Sequence, residues 1–386
     1  MSRRLRQLAI ATLSLVSLCG CAGPGKKPQQ GVILVGEFLS LTGTTATFGQ
    51  STKNGVELAI NEANAKGGAL GKKMAVIAED DRSMPEEAAN AVQKLINRDH
   101  VCAILGEVAS SRSLAGAPYC QQARVPMISP SSTNPEVTRK GDYIFRACFT
   151  DTFQGEAAAR FARNNLKLDR LAILMDVKND YSKGLATFFR AYIEKSGGKI
   201  VAEQSYSEGD KDFRGQLTNI RKAEPDGIFI PGYYTEVALA AKQARELGLD
   251  VPLLGGDGWD SSKLMEIGGT AVEGSYISDH YSVDSADPRV RKFVEAYRKR
   301  YGETPDALAA LGYDAAGILV AAIKRAGTVD GPALRNAIAA TRDYRGATGT
   351  ITLDAERNAR KPAVILKLVN GHWKLVTQIN PQQPIR

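Results

Sequence analysis

From Val32 onward the chain alternates two hydrophobic rhythms. Short runs of apolar residues, of a length suited to a buried strand, are each followed by a longer stretch with apolar positions three and four apart. VILVGEF predicts a strand, and QSTKNGVELAINEANA, Gln50 to Ala65, predicts an amphipathic helix ended by Lys66-Gly67-Gly68. MAVIAED, a helix through PEEAANAVQKLINRD, the strand VCAILG, a serine-rich corner with its helix, and PMISP continue the series. Strand and helix in strict alternation call for a parallel sheet covered by helices.

The rhythm pauses near residues 141 to 153 and restarts. RLAILMD, KIVAEQSY, GIFIPGY, VPLLGGD and GSYISD predict a second set of strands, with helices around 183–196, 211–223, 235–247 and 260–267. Two long helices (Pro288 to Tyr301, Pro305 to Ala326), a short one at 332–340 and three strand-like runs (GTITLD, AVILKLVNG, HWKLVTQI) close the chain. Two α/β sets imply two Rossmann-like lobes. A tail that packs on lobes already made implies that the chain crosses between them more than twice, forming a hinge. The expected division is lobe 1 over 31–150 plus 278–345 and lobe 2 over 151–277 plus 346–386.

Length and composition agree with this picture. A chain of 386 residues is long enough for two domains, and 43% hydrophobic with 24% charged residues is ordinary for a globular protein. The formal charge of +8 includes Arg3, Arg4 and Arg6 and contains no basic block interleaved with aromatics, so nucleic acid is not an expected partner. Those arginines, the apolar stretch Leu8 to Leu18 and the small residues that follow have the order of an export signal, expected over 1–20. Leu18-Cys19-Gly20-Cys21 resembles a bacterial lipobox, which makes Cys21 the expected lipidated residue and 21–30 a polar tether. An exported body lies in an oxidising space, where Cys102, Cys120 and Cys148 form an odd set with no metal-site spacing.

The serine corner, Val108-Ala109-Ser110-Ser111-Arg112, admits two chemistries. A serine nucleophile needs a base, yet the Gly-x-Ser-x-Gly elbow is absent and none of His100, His280 and His372 sits in a partner motif. An anion cradle fits better. The corner joins the C-terminal end of a parallel strand to a helix N-terminus, where unpaired N–H groups, the helix dipole and hydroxyls favour a carboxylate. The plain alternative is that a serine only caps the helix. A second hydroxyl cluster, Ser129 to Glu136 with Ser131 and Thr133, follows the next strand. The matching strand ends of the second set carry Tyr181, Tyr233 with Tyr234, and Asp257 with Trp259. Hydroxyls facing aromatic walls and one carboxylate would suit a small zwitterion. The Lys66–Lys72 segment lacks P-loop spacing, and Asp80-Asp81 or Asp257 with Asp260 lack calcium-loop spacing, so neither a cofactor nor a metal is expected.

Taken in order, GEFLSLTGTTATFGQSTKNGVELAINEANAKGG, ILGEVASSRSLAGAP, VPMISPSSTNPEVT, KDFRGQLTNIRKAEPDGIFIPGYYTE and LLGGDGWDS resemble the substrate-binding proteins of branched-chain amino acid (Leu/Ile/Val) ABC transporters, of the type I periplasmic binding fold. The resemblance implies that Ser110 and Thr133 hold the ligand α-carboxylate, that the backbone around Ser131 helps to receive the ammonium, and that Tyr181 and Tyr233 come from the second lobe. It further implies that Asp257 pairs with the ammonium, where well-known members have glutamate, and that Phe48 closes over the ligand side chain. Arg82 and Ala109 stand where some members have a disulfide. The implied protein is a monomeric, lipid-anchored, extracytoplasmic receptor that hands a small amino acid to a membrane permease driven by its ATPase, with no covalent chemistry. The competing readings are other neutral or aromatic amino acids or small amides, a ligand sensor, and a serine hydrolase.

Overall fold

The computed structural model describes residues 31–381, so the expected signal (1–20), Cys21 and the tether (21–30) lie outside the described residues. The first sheet has five parallel strands, β1 (Val32–Leu39), β2 (Lys73–Asp80), β3 (Ile104–Gly106), β4 (Met127–Ser129) and β5 (Ile144–Arg146), in the order β2-β1-β3-β4-β5. Its three short strands are buried on both faces, which is why they read as unbroken apolar runs. Helices α1 (Ala46–Ala65), α2 (Pro85–Asn97), α3 (Ser110–Ala123) and the single turn α4 (Glu136–Arg139) link them. In α2 Pro85 opens the helix, Glu86 and Glu87 sit in its first turn and Lys94 in its last, each on the favourable end of the dipole.

Helix α1 begins four residues before the sequence pattern predicts. The reason is contact and not periodicity: a Cβ on Gly49 would lie 2.0 Å from Ser40 O, so this glycine lets the first turn close against the end of β1.

The second set runs α5 (Asp151–Asn164), β6 (Arg170–Asp176), α6 (Asp180–Lys195), β7 (Lys199–Tyr206), α7 (Arg214–Lys222), β8 (Gly227–Phe229), α8 (Tyr234–Glu246), β9 (Leu253–Gly255), α9 (Ser262–Gly268) and β10 (Tyr276–Asp279). These parallel strands are completed from the far end of the chain by the antiparallel pair β14 (Ala363–Val369) and β15 (His372–Ile379), giving β15-β14-β10-β9-β8-β6-β7. Between β10 and β14 come α10 (Pro288–Tyr301), α11 (Ala307–Ala326), α12 (Gly331–Ala339) and a small antiparallel sheet of β11 (Tyr344–Gly346), β12 (Gly349–Leu353) and β13 (Ala359–Arg360).

Helix α11 is long and apolar enough to cross a membrane, but 78% of its most apolar window is buried, and it packs on α1 in the first lobe. Gly55 faces Ala309 O and Gly312 faces Thr52 O at distances no side chain would permit, so the two backbones touch. Ile351, Leu353 and Ala359 of β12 and β13 join the same core as Val35, Leu105 and Ile323. Residues 346–360 therefore belong with the first lobe, not the second as the sequence division has it, because this hairpin covers α11 and does not extend the second sheet. The chain crosses between lobes around 147–150, 280–287 and 361–362. Cys102, Cys120 and Cys148 are all free thiols.

Candidate functional site

The serine corner is held from beneath. Glu107 turns its carboxyl inward, where Oε1 accepts from Ser40 N (3.1 Å) and Ser40 Oγ (3.0 Å) and Oε2 accepts from Ala109 N. Burial pushes Glu107 up to about 8. Ser129 and Ser132 donate to Glu107 O at 2.7 and 2.8 Å, tying the second hydroxyl cluster to the first. On this frame Ser110 begins α3 and accepts from Asn134 N at 3.2 Å. Ser131 Oγ lies 3.5 Å from Val108 O, and the buried Thr133 Oγ1 makes no hydrogen bond within the protein. A buried donor without a partner is costly, and a ligand oxygen would satisfy it.

The opposite wall is built by helix starts of the second lobe. Asn179 caps α6, accepting from Tyr181 N at 3.0 Å and Ser182 N at 3.3 Å, and so sets Tyr181 at the cleft. Tyr233 precedes α8, and the two tyrosine rings stack at 5.4 Å and 7°. Phe48 of α1 meets Tyr233 edge-on at 5.5 Å and Tyr234 at 5.0 Å, closing the wall from the other lobe.

Asp257 opens a short 3-10 turn, Asp257–Trp259, and is held by three side chains. Tyr181 Oη donates to Oδ1 at 2.9 Å, Gln154 Nε2 donates to Oδ1 at 2.7 Å, and His280 Nε2 lies 3.0 Å from Oδ2. Burial depresses His280 to about 4, the contact with Asp257 only partly opposing it, so the ring is neutral near pH 7 and bears its proton on Nε2 by this geometry. Its ring also stacks on Phe149 at 3.7 Å, joining the first crossing to the second. Burial holds the Tyr181 phenol well above its usual range, keeping it a donor, and raises the neighbouring Asp151 carboxyl likewise.

Seven of the nine residues singled out from sequence (Phe48, Ser110, Ser131, Thr133, Tyr181, Tyr233 and Asp257) line one small cavity, with Val108, Gly258 and Leu308 as further lining. With the lobes shut the space left between these side chains is tight, so a ligand held there is small. Asp257 is the one acidic residue among the described residues that line it. Two candidates lie elsewhere. Ser111 is turned along α3 and its Oγ accepts from Asp180 N at 3.0 Å, an interlobe contact. Trp259 is fully buried beneath the turn, its Nε1 donating to Ile230 O at 2.9 Å, because Gly255 leaves room for the indole. Gln154 and His280, invisible in sequence, complete the carboxylate's surroundings; no motif signals a glutamine inside a helix or a lone histidine at a strand end.

The lobes are shut. Thr44 Oγ1 donates to Glu208 at 2.7 Å, Thr47 and Ser261 hydroxyls are 2.9 Å apart, and Asn134 Nδ2 donates to Asp180 O at 2.7 Å. An apolar cluster containing Leu39, Phe48 and Val108 runs on into Tyr181, Tyr233 and Trp259.

Two sheets of α/β type, three crossings and a small polar and aromatic cavity between shut lobes define a hinged solute receptor. The chain belongs to the periplasmic binding protein family, which matches residues 32–371, a family of binding proteins and not of enzymes. It is 31% identical over 322 residues to the Leu/Ile/Val-binding protein BraC3 of Rhizobium johnstonii, covering 83% of this chain and 87% of that one. The structure is similar to leucine-binding protein LivK of Thermotoga maritima (TM-score 0.86, 41% identity, 90% of this chain and 99% of that one). It is equally similar to LivJ of Streptococcus pneumoniae, solved in complex with isoleucine (TM-score 0.86, 32% identity, 91% and 100%).

Proposed function

We infer that this protein captures a small aliphatic amino acid, of the Leu/Ile/Val class, in the interlobe cavity and presents the closed form to an ABC permease and its ATPase. The observation that carries this is the division of the cavity: the hydroxyls of Ser110, Ser131 and Thr133 on the first lobe, with Thr133 Oγ1 unpaired, a single carboxylate on the second, and Phe48, Val108, Tyr233 and Leu308 between them. The ligand α-carboxylate meets Ser110, Thr133 and the N-terminus of α3. Its ammonium meets Asp257, and its side chain lies against the apolar wall. Each terminus finds a charge-assisted partner, and the two partners belong to different lobes, so a ligand with both groups favours the closed state.

Asp257 reaches less far than a glutamate would, and the three side chains around it fix its position; a bridging water or a ligand seated deeper in the second lobe supplies the missing reach. Similarity to a Leu/Ile/Val-binding protein and to a receptor solved with isoleucine supports the ligand class. The N-terminal pattern supports export and anchoring through Cys21, with the receptor acting outside the cytoplasm as a monomer.

The test is a thermal-shift screen of the purified protein, refolded to strip carried ligand, against the twenty amino acids and small amides. Leu, Ile and Val should raise the melting temperature by a few degrees, since binding to the folded form stabilises it by mass action. A lead by aromatic residues or amides would overturn the ligand class, and no shift with any of them would overturn amino-acid capture.

A further inference from the structure

The turn that carries Asp257 carries a second carboxyl three residues on, and this one faces the other lobe. Asp260 Oδ2 accepts from Ala307 N at 2.8 Å. Ala307 is the first residue of α11, a helix of the first lobe whose own preceding residue, Asp306, already accepts from Ala309 N at 2.9 Å. The start of α11 is thus capped twice, once from its own chain and once from across the cleft. The next residue, Leu308, lines the ligand cavity. Between the two carboxyls of the turn, Trp259 is locked in the second-lobe core by its bond to Ile230 O. One short anchored turn therefore touches the cavity at Asp257 and the opposite lobe at Asp260, and Ser261 extends the contact to Thr47 at 2.9 Å.

We propose that Asp260 is a positioning residue for capture: a clasp that joins occupancy at Asp257 to lobe closure by capping α11 of the first lobe. The inference rests on the reading that the interlobe cavity captures a ligand. A helix start has N–H groups with no partner of their own, and a side-chain acceptor there is favourable. In the shut form the second lobe supplies that acceptor; once the lobes part, water takes its place. A contact made in one state only shifts the balance toward that state. Because the acceptor sits on the turn that holds Asp257, a ligand that orders the turn also orders the clasp.

The groups around Asp260 say how it acts. It faces Asp257 on its own turn, Asp279 at the end of β10 and Asp306 before α11, while Ser51 of α1 donates to Asp306. Arg298 of α10 is directed to Thr304 Oγ1 at 3.0 Å and makes no ion pair with Asp260, while the buried Lys361 lies near Asp279. Burial, then the facing Asp306, hold Asp260 up at about 7. Asp260 serves as an acceptor more than as a charge, so asparagine should replace it and alanine should not.

The experiment measures isoleucine association and dissociation by stopped-flow fluorescence on wild type, Asp260→Ala and Asp260→Asn. The expected result is dissociation about tenfold faster for Asp260→Ala, equivalent to about 1.4 kcal/mol, with association within about twofold of wild type and Asp260→Asn within about threefold in both. Unchanged dissociation in Asp260→Ala, or equal damage in Ala and Asn, overturns the clasp. A ligand-independent arm locks the lobes with Thr47→Cys and Ser261→Cys and follows hydrogen exchange at the Ala307 amide. There Asp260→Ala should exchange about tenfold faster than the locked parent, and equal exchange overturns the clasp. If wild type takes up no isoleucine, the capture reading falls, and the locked protein still decides whether Asp260 caps α11.

Discussion

The Tyr181 hydroxyl stands 2.9 Å from Asp257 Oδ1, and both residues belong to the second lobe. The carboxylate is therefore oriented before the lobes meet, and closure need not spend ligand binding on arranging it. Replacing Tyr181 by Phe removes one donor from a buried carboxylate while keeping the stacked ring. A hydrogen bond to a charged group contributes about 1.5–3 kcal/mol, so isothermal titration should give isoleucine affinity lowered roughly 10- to 100-fold, with the fold intact by circular dichroism.

Gly256 offers a harsher version of the same test. A Cβ there would lie 2.4 Å from Tyr181 Oη and 2.9 Å from Gln154 Nε2, the two donors to Asp257 Oδ1. Gly256→Ala should displace both at once, weaken isoleucine binding more than Tyr181→Phe does, and lower the melting temperature by several degrees. An alanine variant that binds as wild type would show that these donors do not govern the carboxylate.

His280 supplies a pH dependence of known sign. Its pKa is about 4 in the folded protein and near 6.5 when free. The stability gained by keeping it neutral is fully present above about pH 6.5 and is lost as pH falls through about 4. His280→Gln keeps a neutral donor and removes the titration. The difference in stability between wild type and His280→Gln should therefore move against wild type by on the order of 3 kcal/mol between pH 7 and pH 4, read by calorimetry. A difference that stays flat would assign the histidine a different partner.

Glu37 should behave in the opposite sense. It is fully buried on β1 with neither oxygen hydrogen-bonded, and burial, offset in part by Lys53, raises it to about 8. A group raised in the folded state contributes stability that is fully present below its unfolded pKa, near 4.3, and that is lost as pH rises through about 8. Glu37→Gln should gain on wild type steadily from pH 5 to pH 8.5, reaching a few degrees in melting temperature at the upper end.

The strand and helix alternation was legible because buried parallel strands such as β3 to β5 must be apolar on both faces, and the covering helices must show their 3.6-residue stripe. Hydroxyls and aromatics at strand ends were legible for the same reason, since the ends of such strands converge on one edge. What lies one layer back was not. Ser111 differs from Ser110 by one step around a helix, which turns it from the cavity to Asp180. Trp259 was read as a cleft wall, yet the local turn directs it into the core. Gln154 and His280 reach Asp257 from elements 103 and 23 residues away in sequence, and no local pattern encodes such a meeting. The hairpin β12–β13 went to the other lobe because an alternating strand pattern tells which face is buried and not against what.

The tail completes both lobes. The strands of the first sheet are finished by Arg146, but α11, which packs on α1 and on β3 and β4, is not made until residues 307–326. The second sheet waits longer still, for β14 and β15 at 363–379 to cover the edge of β10. Each lobe therefore draws part of its cover from segments far along the chain, and contacts of such long sequence separation form slowly. The last two strands thus tie the closing of the second sheet to the third crossing of the hinge, so the end of the chain is part of both lobes' architecture.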